Sequence, residues 1–337
     1  MDSRLKLALV GCGGIAQAHW RGIEQIATRV DVTAVVDKNP ASAQAMAAQT
    51  GAAAFTDIED ALKKGDFDAV DIMLPHDLHE FAALACFDAG KHVLLEKPIA
   101  HSLESAERIL EAGDRVDTVF MVAEQAQYWT DVIRARELMD AGAIGAVISA
   151  SGNFYDPVVI DPDAPPPWRY SLAIAGGGLT IDGGAHWIRP LRMMMGEVDA
   201  VIGVTGHHVP RMEGESWSRM LMKFASGTVG VLTSQHVMHT AGPIELFRVT
   251  GTEGELQITG GRNGQLILFN KQHPRGEVIM NAAEGKINSY GAEIKDFCEV
   301  VLDDKTMAAT PAFSLGEFRT AQALYRSIES GRWEKVW

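Results

Sequence analysis

The sequence has little cysteine and no long apolar run. Its 337 residues contain three cysteines, Cys12, Cys86 and Cys298, which are too few and too far apart for a disulfide framework. This usage favours a reducing, cytoplasmic compartment. The apolar runs stay well short of the roughly 18 residues that a membrane-spanning helix needs, so we expect no membrane association.

The sequence also has a shortage of positive charge. It contains 44 Asp and Glu residues against 30 Lys and Arg residues, which gives a formal net charge of −14 at pH 7. A protein that binds nucleic acid or an anionic membrane through a broad face usually carries the opposite sign. We therefore expect neither of these partners.

The composition and length of the chain indicate a soluble globular protein with two domains. Apolar residues make up 47% and charged residues 22% of the sequence, which is ordinary for globular proteins. The length suggests two domains at roughly 150 residues each. Arg4 and Lys6, followed by an apolar stretch, resemble a short secretion signal. That stretch is too short and contains Lys6, so a buried strand that enters a glycine turn is favoured.

Residues 1–124 alternate short apolar runs with helical patterns. Such alternation predicts βαβ units and a buried parallel sheet, the doubly wound α/β fold called a Rossmann domain. The predicted strands lie at residues 5–10, 30–37, 68–75, 91–98 and 119–125.

After residue 124 the pattern changes to longer strand-like runs separated by turn residues. We predict a second, α+β domain at 125–337, with a large, open and mostly antiparallel sheet. Its predicted helices lie at about 130–141, 180–195, 289–302 and 314–330. The last helix is equally compatible with packing on either domain.

The first candidate site is a G-x-G-x-x-A motif, Gly11 to Ala16, between a predicted strand and a predicted helix. Gly11 permits a tight turn, Gly13 lets a pyrophosphate approach the backbone, and Ala16 lets helix and strand pack closely. The helix N-terminus favours the phosphate charge. The motif therefore predicts dinucleotide binding, although a structural glycine turn is the alternative.

Asp37 ends the second predicted strand, about 20 residues after the motif. Its carboxylate would accept hydrogen bonds from the adenosine ribose hydroxyls and repel a phosphate at that position. This favours NAD over NADP. Lys38 keeps NADP open, because its side chain is long enough to reach a 2′-phosphate.

Lys97 lies in the segment Glu96-Lys97-Pro98, where the fourth predicted strand ends. Ligands of such sheets bind at the carboxyl ends of the strands, and a lysine there can donate a proton or polarise a carbonyl. The alternative is a solvated lysine paired with Glu96.

Asp182 and His186 follow a run of three glycines and are four residues apart, which predicts one helical face. A carboxylate beside an imidazole is a common acid–base arrangement. The alternative is an aspartate that caps a helix beside an unrelated histidine.

Two histidine pairs, His76 with His79 and His236 with His239, have spacings that a metal site can use. Neither pair has the nearby cysteines or carboxylates of a zinc site, so we predict no metal.

Taken together, these segments resemble the glucose–fructose oxidoreductase and inositol dehydrogenase family of NAD(P)-dependent oxidoreductases. The resemblance spans nearly the whole chain. The matching segments are LALVGCGGIAQAHW, AVVDKNP, LPHDLHEFAALACFDAGKHVLLEKPIAHSLESAERI, ELMDAGAIGAV and GGGLTIDGGAHWIRPLRMMMG.

The resemblance implies hydride transfer between the nicotinamide C4 and a secondary alcohol or ketone. His186 would exchange the hydroxyl proton, Lys97 would polarise the oxygen, and Asp182 would orient one of them. The implied cofactor contacts are Gly11, Gly13, Gly14, Ile15, Ala16, Asp37, Lys38, Leu74, Pro75, His76, His79, Glu96 and Lys97. The implied substrate contacts are Gln125, Tyr128, Tyr155, Trp168 and Arg169.

The chain departs from the family pattern near the implied pocket. His76 stands where an Asn is usual, Gln127 where an Arg is common, and Arg189 where an Asp is common. The implied substrate is therefore a sugar, an inositol, a glycoside or a cyclic diol. Alternatives are transient oxidation by tightly bound NAD during glycoside cleavage or elimination, and a non-catalytic regulator. The resemblance also implies a homodimer or homotetramer formed through the C-terminal sheet.

Overall fold

The computed structural model describes residues 4–242, 244–261, 264–281, 286 and 288–337. The chain divides into two compact units. The first comprises Met1–Gln125 and Asn288–Leu315, and the second comprises Ala126–Ile287 and Gly316–Trp337. The sequence assigned everything after residue 124 to one domain. The segment Asn288–Leu315 instead groups with the first unit, which corrects that assignment.

The first unit contains a parallel sheet of six strands in the order β3-β2-β1-β4-β5-β6. This confirms the predicted doubly wound α/β fold. The short edge strand β3 was not predicted, because three residues carry no readable periodicity. The strands are β1 (Leu5–Val10), β2 (Val30–Val36), β3 (Ala53–Phe55), β4 (Ala69–Ile72), β5 (His92–Glu96) and β6 (Phe120–Ala123).

Local capping explains where several helices of this unit begin and end. The Asn39 side chain accepts a hydrogen bond from Ala41 at the start of α2, and Gly51 ends that helix in a left-handed conformation. Ser102 caps α5 by accepting a hydrogen bond from the Ser105 N–H. The helices are α1 (Gly14–Gln25), α2 (Pro40–Thr50), α3 (Ile58–Lys64), α4 (His79–Asp88) and α5 (Leu103–Gly113).

A helix from late in the chain, α9 (Ser289–Asp303), packs against α1 and β1. The two helix backbones approach closely where Gly22 meets Gly291, and a Cβ atom on Gly22 would lie 2.8 Å from the Gly291 nitrogen. Arg29 adds an ion pair to Asp303 at 2.5 Å. These contacts explain why Asn288–Leu315 belongs to the first unit.

The second unit contains a sheet of nine strands in the order β14-β13-β12-β11-β7-β10-β9-β8-β15. Only the β7–β10 pair is parallel among the described strands, so the predicted mostly antiparallel sheet is confirmed. The strands are β7 (Val147–Val158), β8 (Val198–Gly206), β9 (Trp217–Phe224), β10 (Val229–Met238), β11 (Glu245–Gly251), β12 (Gly254–Thr259), β13 (Gln265–Asn270), β14 (Glu277–Asn281) and β15 (Glu334–Lys335).

One face of this sheet is covered by helices and the other is open. On β7, Ala150 and Phe154 are buried on the covered face, where α8 packs. The helices of this unit are α6 (Thr130–Asp140), α7 (Leu172–Ala175) and α8 (Ala185–Met195), and α10 (Pro311–Ser330) belongs to it from Gly316 onward. Among the described residues, no helix is long and apolar enough to cross a membrane.

Candidate functional site

The glycine turn after β1 leaves open space at the N-terminus of α1. Gly11 has a φ of +96°, and a Cβ atom there would collide with the Met73 carbonyl, so only glycine fits. A Cβ atom on Gly13 or Gly14 would meet no described atom within 4 Å. Ala16 is fully buried against the sheet. An exposed helix N-terminus with this much free room suits a pyrophosphate.

Asp37 lies at the carboxyl end of β2 with its carboxylate held in place. One oxygen accepts a hydrogen bond from the Cys12 N–H at 2.9 Å, and the other accepts one from the Asn39 N–H at 2.8 Å. The acidic group is therefore fixed beside the glycine turn, and Lys38 is exposed next to it. Burial and the nearby Asp37 charge raise the pKa of Cys12 to about 12, so this thiol stays protonated.

His79 ties together two backbone segments that follow β4 and β5. Its Nδ1 atom lies 3.0 Å from the Pro98 carbonyl oxygen, and its Nε2 atom lies 2.9 Å from the Leu74 carbonyl oxygen. The ring is fully buried, and this burial lowers its pKa. His76 is also buried, whereas Leu74 and Pro75 are partly exposed. His79 thus fixes the backbone at this edge of the sheet through its contacts with the two carbonyl oxygens.

Lys97 and Glu96 lie at the carboxyl end of β5. Lys97 is half-buried, its N–H donates to the Ala123 carbonyl at 3.3 Å, and the peptide bond to Pro98 is cis. Glu96 is buried, and its Oε1 atom lies 3.0 Å from the Nε2 atom of His19. The glutamate of this segment is therefore paired with a histidine from α1.

His19 was not predicted as a site residue. Its Nδ1 atom lies 2.8 Å from Oδ2 of Asp71 in β4, so the ring bridges two carboxylates. Burial alone lowers the pKa of His19, but Asp71 and Glu96 outweigh it and raise that pKa well above its usual value. The sequence offered only one hint, a histidine at a buried position of α1.

Glu293 in α9 is a second buried acid near this cluster. Its side chain is 0% exposed, and neither carboxyl oxygen has a hydrogen-bond partner among the described residues. Burial raises its pKa well above the usual value; His19 opposes this rise, and the carboxylates of Glu96, Glu124 and Asp71 add to it. We therefore expect the folded protein to hold Glu293 in its neutral form.

Replacing Glu293 by Gln is expected to stabilise the protein at neutral pH. The unfolded chain ionises this residue above about pH 4.3 while the folded protein keeps its proton, so the wild type loses stability as the pH rises. The advantage of the variant should grow by up to about 1.4 kcal/mol per pH unit. Urea unfolding between about pH 4.5 and 7.5 measures this difference.

Glu299→Gln is the matched control on the same helix. The Glu299 side chain pairs with Lys305 at 2.7 Å, and this hydrogen bond lowers its pKa. Its removal should give no advantage that grows with pH. A Glu293→Gln difference that stays constant across the pH range would contradict the neutral buried acid.

In the second unit, the glycine segment before α8 is held by Glu215. The buried carboxylate accepts hydrogen bonds from the Thr180 N–H at 2.8 Å and from the Tyr325 hydroxyl at 3.2 Å. A Cβ atom on Gly178 would collide with Glu215, so only glycine lets the backbone approach Glu215 this closely. Burial raises the pKa of Glu215. This anchoring sets the path of the chain toward Asp182 and His186.

Asp182 precedes α8, because the helix begins only at Ala185. The predicted helix from about 180 is therefore wrong at its start, and Asp182 and His186 do not share a helical face. Residues 179–184 form successive turns. Gly183 and Gly184 disfavour helix, and Cβ atoms there would collide with Phe154 and Thr180.

The Asp182 carboxylate forms an ion pair with Arg169. Arg169 Nε donates to Oδ2 of Asp182 at 2.8 Å, and the guanidinium lies 4.3 Å from the ring centroid of Trp168. The predicted residues Trp168, Arg169 and Asp182 are thus brought together. The guanidinium of Arg169 therefore places a positive charge directly beside the Asp182 carboxylate.

Aromatic packing positions the first turn of α8, which carries His186. The Trp187 ring stacks on Phe154 of β7 at 4.2 Å and meets Trp129 edge-on at 5.5 Å. Such pairs add to the apolar burial of the helix. Trp187, the neighbour of His186, is therefore anchored to the sheet, and this contact fixes the helical turn that carries His186.

The other predicted substrate residues are Tyr155, Gln125 and Tyr128. Tyr155 alternates with Phe154 on β7, so its side chain is on the open face of the sheet, where it lines a cavity of about 490 Å³ with Asn153 and Glu245. Gln125 is buried, and its amide oxygen accepts a hydrogen bond from Ser289 at 2.6 Å. Tyr128 ends the short 3₁₀ turn Gln125–Tyr128 and is partly exposed.

Among the described residues, no group of three His, Cys, Asp or Glu side chains is arranged to hold a metal ion. His76 and His79 therefore do not belong to such a group, although their rings lie 5.7 Å apart.

Two family descriptions match this chain. Residues 5–124 match the oxidoreductase family with an NAD-binding Rossmann fold, and residues 132–257 match the GFO/IDH/MocA C-terminal domain. The chain belongs to this family of oxidoreductases. The resemblance, the fold and the expectation of a dinucleotide-dependent enzyme are confirmed at this level.

Several relatives of this GFO/IDH/MocA chain carry names that state an activity. Levoglucosan dehydrogenase of Pseudarthrobacter phenanthrenivorans is 27% identical over 319 residues, covering 85% of this chain and 82% of the relative. D-xylose 1-dehydrogenase (NADP(+)) 2 of Haloferax volcanii is 26% identical over 321 residues, covering 90% and 92%. The solved structure of a levoglucosan dehydrogenase in complex with NADH has a TM-score of 0.89 at 23% identity and covers 99% of both chains, which shows the shared fold.

The two departures from the family pattern at positions 127 and 189 contact each other. Nη1 of Arg189 donates to the amide oxygen of Gln127 at 3.0 Å. The rest of this buried guanidinium pairs with Glu317 of α10 at 2.8 and 3.0 Å. The charge introduced at position 189 is thus balanced by a residue that sequence reasoning did not single out.

Proposed function

We propose that this protein transfers a hydride between a nicotinamide dinucleotide and a secondary alcohol or ketone of a small polyol. The observation that best supports this proposal is the open glycine turn beside the fixed carboxylate of Asp37, in a chain of this oxidoreductase family. The dinucleotide, when bound, supplies the hydride acceptor or donor at nicotinamide C4. The open backbone at Gly13 and Gly14 would hold its pyrophosphate.

NAD is the proposed cofactor in preference to NADP. Asp37 accepts two backbone hydrogen bonds, which orient its carboxylate to receive ribose hydroxyls and to repel a 2′-phosphate. Lys38 is exposed next to Asp37, and the name of the D-xylose 1-dehydrogenase relative includes NADP(+). Both cofactors should therefore be tested.

The proposed acid–base residues are Lys97, Asp182 and His186, which the family resemblance implies act together. His186 would take the substrate hydroxyl proton in oxidation and return it in reduction, and Lys97 would polarise the same oxygen. The ion pair with Arg169 holds the Asp182 carboxylate in place, which supports a role for Asp182 in orienting one of these groups.

The proposed substrate is a cyclic polyol, an anhydrosugar or an aldose. Relatives named levoglucosan dehydrogenase and D-xylose 1-dehydrogenase support this class. The Trp168 ring and the exposed Arg169 beside Asp182 support a sugar-like ligand, since an aromatic face and a guanidinium suit apolar and hydroxyl surfaces respectively.

We also propose a homodimer or homotetramer formed through the open face of the nine-stranded sheet, in the cytoplasm. Large apolar side chains stand exposed on adjacent strands there: Leu221 of β9 is 48% exposed, and Val229 and Val231 of β10 are 48% and 40% exposed. A contiguous apolar patch of this kind favours association.

The test is reduction of NAD or NADP across a panel of levoglucosan, aldoses, inositols, glycosides and cyclic diols, followed by near-ultraviolet absorbance. We expect turnover with at least one cyclic polyol and a higher kcat/KM with NAD. Silence across the panel with dinucleotide still bound to the purified protein would favour transient oxidation by a resident NAD. Absence of any dinucleotide binding would refute the proposal.

A further inference from the structure

The loop between β8 and β9, residues 207–216, lies beside the segment that connects β7 to α8. That segment, residues 159–184, carries three of the proposed substrate and acid–base residues. Three loop residues, each two positions after the last, contact three successive parts of it: Arg211 the beginning, Glu213 the middle and Glu215 the end. The two stretches of chain therefore lie side by side in the same order.

Arg211 fastens the proline-rich beginning of the segment. Its Nη1 atom donates to the Ala164 carbonyl at 2.8 Å, and its Nη2 atom donates to the Asp161 carbonyl at 2.9 Å. The backbone of Arg211 has a φ of +64°, which is costly for a residue other than glycine and persists only where the surrounding structure requires it. A strained residue that fastens a segment of this kind indicates a functional role.

Glu213 fixes the segment directly after Arg169. Its N–H donates to the Tyr170 carbonyl at 2.9 Å, and its Oε2 atom accepts a hydrogen bond from the Leu172 N–H at 2.7 Å. Tyr170 ends the short 3₁₀ turn Trp168–Tyr170, so these bonds hold that turn from its C-terminal side. The Arg169 side chain therefore extends from a backbone that is fixed on both sides of the turn.

Glu215 fixes the glycine-rich end of the segment. Its carbonyl accepts a hydrogen bond from the Leu179 N–H at 2.9 Å, and its Oε1 atom accepts one from the Thr180 N–H at 2.8 Å. The Tyr325 hydroxyl of α10 accepts from the Gly178 N–H at 3.2 Å and donates to Glu215 at 3.2 Å. These bonds set the path of the chain into the turns that precede α8.

The β8–β9 loop is itself closed by hydrogen bonds. The Ser216 N–H donates to the Gly206 carbonyl at 3.0 Å, and the His208 N–H donates to the Ser216 hydroxyl at 2.8 Å. The Nδ1 atom of His207 lies 2.9 Å from the Gly214 carbonyl oxygen. A loop whose two ends are joined in this way can act as a fixed support for the chain beside it.

We propose that the β8–β9 loop positions both partners of the Arg169–Asp182 ion pair, an inference that rests on the proposed function. Arg211 holds the backbone that leads to Arg169, the proposed substrate contact. Tyr325 acts through Glu215 on the backbone that leads to Asp182. Both are positioning residues, and a displacement of about 1 Å near a reacting group can cost about 100-fold in rate.

Arg211→Asn removes both guanidinium hydrogen bonds but keeps a residue that tolerates a positive φ. We expect KM for the best substrate of the panel to rise about ten-fold, because the loosened backbone carries a substrate contact. The kcat value and the NADH dissociation constant should change by less than about two-fold. Initial rates at saturating NAD and an NADH fluorescence titration measure these quantities.

Arg326→Gln is the matched control for Arg211→Asn. The Arg326 guanidinium also donates to a backbone carbonyl, that of Lys335 at 2.6 Å, but it lies on α10 and contacts neither the β8–β9 loop nor residues 159–184 in any described hydrogen bond. Its KM and kcat should stay at the wild-type values. An equal rise of KM in both variants would overturn the role of Arg211.

A double variant shows whether Arg211 acts through Arg169. Arg169→Ala alone should raise KM, because it removes the proposed substrate contact. Adding Arg211→Asn to that variant should then change KM by less than about two-fold. A merely structural role of Arg211 predicts the same rise in both backgrounds, and that result would overturn its assignment.

Tyr325→Phe loosens the other end of the segment, because it removes the hydroxyl and keeps the ring. We expect kcat to fall about ten-fold while KM stays within about two-fold, since the backbone concerned leads to a proposed acid–base residue, Asp182. If Tyr325→Phe changes KM and leaves kcat at the wild-type value, the division of roles between the two ends is wrong.

Trypsin cleavage after Arg169 tests the fastening without any substrate. We expect Arg211→Asn to be cleaved there about ten-fold faster than the wild type and Arg326→Gln, because the backbone opens more often. Unchanged cleavage would overturn the inference, and so would faster cleavage with a wild-type KM. If cleavage is faster but the wild type turns over no member of the panel, the proposed function fails while the fastening by Arg211 stands.

Discussion

Replacing Lys97 by Ala is expected to lower kcat by two to four orders of magnitude while dinucleotide binding changes little. Lys97 lies at the carboxyl end of β5 and is half-buried, and its proposed role is to polarise the reacting oxygen. Removing a group that assists proton transfer at the reacting oxygen costs about 10²- to 10⁴-fold. Steady-state kinetics with the best substrate of the panel, together with an NADH titration by fluorescence, separates the two effects.

His186→Asn should show a similar loss, because the imidazole is the proposed proton carrier. The two losses should not multiply in the double variant, since groups that act as a unit are not additive. Lys63→Ala is the matched control: this lysine lies on the exposed side of α3 and pairs only weakly with Glu59 at 3.6 Å. Full activity in Lys97→Ala would refute the proposed role of the lysine.

Replacing Glu317 by Gln is expected to destabilise the second unit by about 3–5 kcal/mol. Glu317 is 5% exposed and pairs with two buried guanidinium groups, Arg189 at 2.8 Å and Arg192. The substitution leaves two buried cations with one partly exposed carboxylate, Glu197, as their described counter-charge, and the cost of removing one partner from a buried ion pair exceeds the value of the pair itself.

Denaturant unfolding followed by tryptophan fluorescence measures this loss. Trp20 is the only one of the seven tryptophans within the first unit, so the signal reports mainly on the second unit. Glu197→Gln is the control, because Glu197 is 42% exposed where it pairs with Arg192. It should cost less than about 1 kcal/mol. Equal costs for the two variants would mean that burial does not set the value of the Glu317 pair.

The first domain could be predicted well because its signals are local. The strand β1, the turn at Gly11 and the helix α1 follow one another along the chain, and apolar runs of this kind identify buried parallel strands without reference to distant residues. The position of Asp37 at the end of β2 follows from the same local pattern. The family resemblance rests on these continuous segments, which is why it holds across both domains.

The limits of prediction have both local and long-range causes. Asp182 and His186 are four residues apart, yet the glycines at 183 and 184 delay the start of α8 until Ala185. Close contacts of these glycines with Phe154 and Thr180 decide the path, and Phe154 is distant in sequence. The four-residue spacing therefore predicted that both residues lie in one helix, but only His186 does.

Sequence patterns alone established the two fold classes, the glycine turn, the acidic residue after β2 and the family. Tertiary structure decided that α9 joins the first unit, that His19 bridges Asp71 and Glu96, and that Glu317 balances Arg189. These pairs join residues 52, 77 and 128 positions apart. Periodicity reports the surroundings of neighbouring residues, whereas the partner of a buried charge is set by which distant side chain the fold brings within hydrogen-bond distance.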